Sequence, residues 1–380
     1  MVHSHSISNS SELSERHALL ILNALPSIGP ISCKRLLSAF SGDARKVFQV
    51  DRKTLLRVQG IGEVAVEKIL NWSAYFDLNK EEQFMQDRSI SFCLIKDDGY
   101  PNLLKKIYDP PIGLYCLGNK AIFKKPSVAI VGTRIVSLYG KNQARKIASS
   151  LAKLGFCIVS GLARGIDYET HYGALAVGGS SIAVLGNGLD IIYPPEHHDL
   201  YQSLEKEGLI VSEFPFGRRA DRQSFPMRNR IIAGLSEGTI VIESGVKGGS
   251  LITANFALEY GRAVFAIPGR LDALQSQGCL ALIKEGATML TSLKDITNEL
   301  QHFERIQAVG FNNTISSRGE LSDLEQELFS LFLDGSRFTP SALAEHLDRN
   351  MSELNATLIQ LELKHYIKRS LDGYYEINII

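Results

Sequence analysis

The sequence predicts an α/β protein. An extended, Rossmann-like and largely parallel sheet is preceded by a helical domain and followed by a winged-helix domain. Three observations carry this. Short β-rich runs alternate with amphipathic stretches of helix length between about Ser127 and Leu300. Ahead of them a glycine-containing segment occurs twice, and behind them a helix-turn-helix pattern leads into a hairpin.

The opening "MVHSHSISNSSE" is polar and serine-rich, so residues 1–11 are expected to form a disordered tail, where His3 and His5 make a poor metal site. A helical domain follows over 12–80. It contains "LPSIGPISCKRLL" and "VQGIGEVAVEKIL", each an apolar position, an Ile-Gly turn and an amphipathic helix. This is the layout of a tandem helix-hairpin-helix (SAM-like) domain, whose turn can offer backbone N–H groups to a nucleic-acid phosphate or serve only as a scaffold. The turn-rich 81–126 segment is read as a connector packing on the core.

From Ser127 the period changes. The runs "SVAIVG", "FCIVSG", "SIAVLG", "LIVSEF", "GTIVIES", "AVFAIPG" and "ATMLTS" read as buried strands. Segments such as 140–155 and 250–261 read as the helices between them, and the sheet domain is placed at 127–305. Residues 306–319 are expected to form a linker, and 320–380 a winged helix. Its presumed recognition helix, Ser352 to His365, is poor in Arg and Lys, which favours protein contact over groove reading.

Composition narrows the function. The 380 residues are 44% hydrophobic and 22% charged, with 41 Lys+Arg against 41 Asp+Glu, so a basic site has to come from local clustering. No apolar run is long enough for a membrane span, and "HALLILNAL" lacks the flanks of a signal peptide. The five cysteines are scattered without a C-x-x-C pair, so a reducing, cytoplasmic location is expected.

In an open α/β sheet, ligands bind where strand C-termini meet helix N-termini. Those junctions here carry Gly132, Thr133, Arg134, Ser137, Tyr139 and Gly140 after the first strand, and Gly161, Arg164 and Gly165 in "SGLARGID" after the second. "GNGLD" follows the third, and Lys247, Gly248, Gly249 and Ser250 follow the fifth. Glycines permit close backbone approach, helix N-termini favour anions, and the cations supply charge. There is no G-x-G-x-x-G and no G-x-x-x-x-G-K-[ST], so neither a dinucleotide nor a P-loop nucleotide is indicated.

Between Pro215 and Arg270 eight basic residues, among them Arg228 and Arg230 flanking Asn229, face four acidic ones. Such a concentration suits an extended polyanion; Phe214, Phe216 and Phe225 lie nearby and could stack bases, although each taken singly reads as a core residue. Catalytic options are thin. His197 and His198 in "PPEHHDLY" are adjacent, share no helix face and lack the i, i+4 geometry of a zinc site, and His171 is the other central histidine. Ser160 and Ser244 have no evident base, and Asp167 reads as a cap or as a partner orienting Arg164. No catalytic residue, metal or cofactor is expected.

Taken together and in this order, "VGTRIVSLYG", "SGLARGID", "FPMRNRIIAGLS", "GGSLITANFALEYGR" and "FAIPG" resemble the DprA/Smf DNA-processing proteins of bacteria. The resemblance covers the sheet domain and, more loosely, both end domains. It implies a homodimer that binds single-stranded DNA through its backbone, protects incoming strands in natural transformation and helps load a RecA-type recombinase, without nuclease activity. On this sequence the family's binding loops fall on Gly132 to Arg134, on Arg164, and on Arg228, Asn229, Arg230 and Lys247. Thr133, Leu162 and Gly248 depart mildly from the family pattern. Two other readings stand beside it. One is a nucleotide N-glycosidic-bond hydrolase, which would need Glu243 or Glu259 as its carboxylate. The other is a protein scaffold.

Overall fold

The structure, a computed structural model, describes residues 13–300, 321–332, 337–347, 349–364, 366–370 and 373–377; the expected tail and linker lie outside the described residues. The chain divides into two compact units, Met1–Thr291 and Ser292–Ile380.

The first unit begins with helices α1 (Glu15–Ala24), α2 (Pro30–Ala39), α3 (Ala44–Val47), α4 (Arg52–Leu56), α5 (Glu63–Leu70) and α6 (Leu78–Asp87). The Ser14 hydroxyl accepts from the His17 N–H and starts α1, whose Ala18 to Leu22 are buried. The two repeated segments have the same backbone. Ser27 and Gly60 occupy equivalent places with φ of 68° and 77°. Gly29 and Gly62 then start α2 and α5 with extended backbone (ψ 177° and 175°) and no side-chain cap. In the second repeat the left-handed backbone at 60 favours glycine, and the Arg35 guanidinium lies against its open face.

The sheet follows in the elements β1 (Ser91–Leu94), α7 (Asn102–Lys105), β2 (Gly113–Gly118), β3 (Ser127–Val131), α8 (Leu138–Lys153), β4 (Cys157–Ser160), α9 (Ile166–Leu175), β5 (Ser181–Leu185), α10 (His198–Glu207), β6 (Leu209–Ser212), α11 (Ser224–Leu235), β7 (Gly238–Val241), α12 (Gly249–Glu259), β8 (Ala263–Ala266), α13 (Gln277–Lys284) and β9 (Thr288–Met289). Its nine strands run in the order β1-β2-β6-β5-β4-β3-β7-β8-β9. Each expected run forms a strand, and β3 to β9 pair in parallel.

The sheet starts earlier than Ser127. β2 pairs antiparallel with β6, and β1 antiparallel with β2, so the expected connector supplies an edge of the sheet itself. These strands are short and lie far apart across turn-rich chain, so no hairpin signal joins them. Side chains alternate between two cores. Phe92, Leu94, Tyr115 and Leu117 face the N-terminal helices, while Cys93, Leu114, Cys116, Val131 and Val159 face the core that includes α11 and α12 residues. All five cysteines are buried and free, and burial pushes the Cys33 thiol up to about 12.

One buried acid ties the helical part to the sheet. Glu81 Oε1 accepts from the Tyr115 hydroxyl at 2.7 Å and from the Phe216 N–H at 3.1 Å. Burial raises its carboxyl to about 7, with Asp190 adding to the rise while Tyr115, Phe216 and Lys80 oppose it. Because the folded value lies above the unfolded one, the stabilisation is present in full at acid pH and is lost as pH rises through about 7. Glu81→Gln keeps the acceptor. It is expected to raise unfolding free energy at about pH 8 by roughly 1–3 kcal/mol and to flatten the pH dependence, as read by urea denaturation at several pH values.

The second unit holds helices Asp323–Phe332, Pro340–Leu347 and Met351–Leu363 and the antiparallel strands Ile367–Arg369 and Tyr375–Ile377. Its own core includes Leu328, Phe332, Leu343, Leu358 and Tyr366. The third helix was expected to reach His365, which lies outside the described residues.

Candidate nucleic-acid interface

β3 has β4 on one side and β7 on the other, while the chain runs outward from it in both directions. The C-terminal edge at β3 is therefore a topological switch point, where loops diverge and leave a crevice.

The loop after β3 is shaped by a carboxylate from the next strand. Thr133 N–H donates to the Glu243 carbonyl at 2.8 Å. The Glu243 carboxylate accepts from the Ser137 N–H at 3.0 Å and from the Ser137 hydroxyl, whose oxygen in turn accepts from the Gly140 N–H and starts α8. A Cβ on Gly140 would sit 2.3 Å from Glu243 Oε2, so Gly140 makes room for that acid. Ser137 and Gly140 thus build the loop. Arg134 is exposed, with its guanidinium 4.8 Å from the centre of the Phe225 ring, and Tyr139 is half-exposed.

The loop after β4 is locked onto the first. Ile166 N–H donates to the Thr133 carbonyl at 3.1 Å. Gly165 has φ 77°, and a Cβ there would lie 2.3 Å from the Thr133 oxygen; one on Gly132 would lie 2.5 Å from Ile166 Cγ1. Asp167 is buried and accepts from the Gly161 and Ala163 N–H groups. Buried Leu162 is held at φ 54°, its N–H donating to His171 Nε2 and its carbonyl accepting from His197 Nδ1. Burial drives His171 down to about 3, so it stays neutral. These side chains fix a strained loop, and His171 and His197 are committed to its backbone.

Arg228, on α11, lies beneath this loop. It is 5% exposed, pairs with Asp167 at 3.7 Å, and occupies the space a Cβ on Gly161 would need. Its Nε has no hydrogen-bond partner among the described residues. Burial first, and Arg134 next among the opposing influences, depress its pKa, while burial raises that of Asp167. Arg164 is exposed and paired with exposed Glu196.

In the loop after β7, Ser250 donates to Ser244 Oγ, and a Cβ on Gly248 would meet the same oxygen at 2.1 Å. Asn229 does not point to a ligand; it donates to the Gly249 carbonyl at 3.2 Å and sets where α12 starts. Gly249 is open on its Cβ side, and Lys247 is exposed.

Two expectations are corrected, for Arg230 and Asp167. Arg230, read as part of the basic pocket, is 3% exposed on the other side of α11, bonded to both Glu213 carboxylate oxygens and to the Asp109 carbonyl. Burial opposes its charge, but Glu213 and Asp109 outweigh that and raise its pKa. The physical reason is helical geometry, which turns residues two apart to opposite sides. Phe214 is buried, and Phe216 packs on Phe84 and Tyr115, so each is the core residue that it reads as singly, and neither is free to stack a base. Asp167 orients Arg228 and the loop backbone, while Arg164 pairs with Glu196.

The carboxylates required by a glycosidic-bond hydrolase are poorly placed. Glu243 is committed to Ser137, and Glu259 ends α12, away from the edge where that helix begins. Among the described residues no His, Cys, Asp and Glu cluster could hold a metal, and no helix is long and apolar enough to cross a membrane. Sequence reasoning missed Ile135, Leu138, Val246, Leu271 and Leu274, aliphatic residues left exposed on the loops of this edge.

Comparison with known proteins identifies the family and the fold. The family described as DNA recombination-mediator protein A matches residues 91–301, which take in both β1 and β2. The Smf protein of Synechocystis is 40% identical over 283 residues, 73% of this chain and 71% of the relative. The X-ray structure of DNA processing protein A from Streptococcus pneumoniae aligns with TM-score 0.66 and 36% identity, over 76% of this chain and 97% of that one. The protein of the same name from Helicobacter pylori, whose structure concerns its single-stranded DNA binding mode, aligns with TM-score 0.51 and 33% identity over 55% of this chain and 94% of that one. The chain belongs to the DprA/Smf family of DNA recombination mediators.

Proposed function

We propose that this protein binds single-stranded DNA by its phosphates along the β3–β7 edge, without catalysing a reaction, and passes the strand to a RecA-type recombinase. One observation carries the reading: the two buried acids of the edge are used internally, while two of its exposed cations are not. Glu243 is tied to Ser137, and Asp167 to loop N–H groups and Arg228, whereas exposed Arg134 and Lys247 have no carboxylate partner among the described residues. Such an edge attracts an anion, and its two buried carboxylates are not free to act as bases. Thr133, Gly161 and Gly165 hold the backbone in place, and Gly249 leaves the start of α12 open to close approach.

Protection of incoming strands in transformation, homodimer formation and cytoplasmic location belong to the same reading through the family. The matched backbones of the two N-terminal repeats support a tandem helix-hairpin-helix, and three helices with a terminal hairpin support a winged helix serving protein contact.

Fluorescence anisotropy of a labelled single strand over a salt series tests the site. Arg134→Ala and Lys247→Ala should each weaken binding and reduce the slope of log K against log salt by about 0.7 per lost phosphate contact. Unchanged slopes would remove the edge as the DNA track, and consumption of nucleoside monophosphates would favour the hydrolase. Arg164 is already engaged by Glu196, so Glu196→Gln should release it and tighten binding about two- to fivefold in the same assay.

A further inference from the structure

We infer that the aliphatic shelf on the loops after β3, β7 and β8 receives the unstacked bases of the strand, so that this edge reads bases as well as phosphates. The inference rests on the DNA-binding reading above and adds a second ligand surface to it.

Ile135, Leu138, Val246, Leu271 and Leu274 are 66–80% exposed, and Tyr139 is 48% exposed. An isolated exposed leucine means little, but a cluster of large ones does. The three loops come from adjacent strands, β3, β7 and β8, a span of about 10 Å. Hydrogen bonds stitch them together. Glu243 holds Thr133 and Ser137, next to Ile135 and Leu138. Ser244 N–H donates to the Gln275 carbonyl at 2.6 Å, which places Leu274 beside the Val246 loop.

The chemistry of the occupant is written in the order of the residues. In two of the loops an exposed cation without a carboxylate partner among the described residues adjoins an exposed aliphatic, Arg134 with Ile135 and Lys247 with Val246; in the third, Arg270 adjoins Leu271 and is paired with Asp272 at 2.8 Å. A protein partner or a second copy would favour an apolar centre depleted of charge. Interleaved cations and apolar faces suit a polymer that itself alternates phosphates with bases. The aromatic residues expected to stack bases are turned inward, as Phe214 and Phe216 are, or lie under Arg134, as Phe225 does. A duplex hides its base faces, so only a single strand can use the shelf.

The test measures anisotropy of the full-length protein with a labelled oligothymidylate and with an abasic strand of equal length and charge. Wild type should bind the abasic strand about tenfold more weakly. Leu271→Ser with Leu274→Ser, both on the surface, should bring the two strands to equal affinity while leaving abasic binding and melting temperature unchanged. Equal binding of both strands by wild type overturns the shelf and leaves the phosphate reading standing. Binding of neither overturns both. A variant that keeps the preference for thymidylate but loses self-association in sedimentation overturns the shelf in favour of a contact between copies.

Discussion

Arg230→Ala is expected to cost about 3–5 kcal/mol of stability, because it strands the Glu213 carboxylate in the core. Both oxygens of that carboxylate accept from Arg230 Nη2, and the two side chains are 3% and 8% exposed. The loss should be read by urea denaturation, following the fluorescence of Trp72, the single tryptophan of the chain. Replacing both partners by apolar residues, Arg230→Met with Glu213→Leu, should regain most of it, since a buried ion pair roughly breaks even against well-packed hydrophobes. The fraction still folded should bind DNA as wild type does. A variant of unchanged stability that binds DNA poorly would return Arg230 to the binding surface.

Gly165→Ala is expected to damage stability and binding together. The residue has φ 77° and ψ −125°, and an added Cβ would lie 2.3 Å from the Thr133 oxygen and 2.8 Å from Arg134 Cα. These are backbone atoms that cannot swing aside as a long side chain can. Backbone strain alone costs about 1–3 kcal/mol, and relief by parting the two loops displaces Arg134 from Phe225. Affinity for a single strand should fall on the order of tenfold. Gly249→Ala is the counterpart: nothing lies within 4 Å of its Cβ position, so folding should be unaffected. Its methyl nevertheless occupies the approach to the start of α12. A Gly165→Ala protein with wild-type melting temperature and affinity would show that the two loops are not mechanically joined.

The sheet was legible because its signals are local. Each of the seven parallel strands is a short apolar run, and helix-length segments separate several of them. β1 and β2 were not, because their pairing is set by register with β6, and no neighbouring residue announces it. At the site, the glycines could be read as close approaches, yet not what approaches them: Gly140 faces Glu243, Gly161 faces Arg228 and Gly165 faces Thr133. The run Arg228-Asn229-Arg230 looked like one basic patch, although two residues of helix rotate a side chain through about 200°. Attention to that angle would have separated Arg228 from Arg230. Solvent exposure of Leu271 and Leu274 leaves no trace in the pattern, since apolar residues in loops are as often buried as not.

The link between Ser137 and Glu243 joins positions 106 residues apart. At about 5–20 residues per second, a ribosome needs roughly 5–20 s to make that intervening chain. During this interval the β3 loop has emerged with Arg134 but without the acid that shapes it, and the shelf residues after β7 and β8 do not yet exist. The β3 loop therefore waits for its shaping acid until β7 has been made, and the edge on which the proposed binding depends is completed only after β8 follows it.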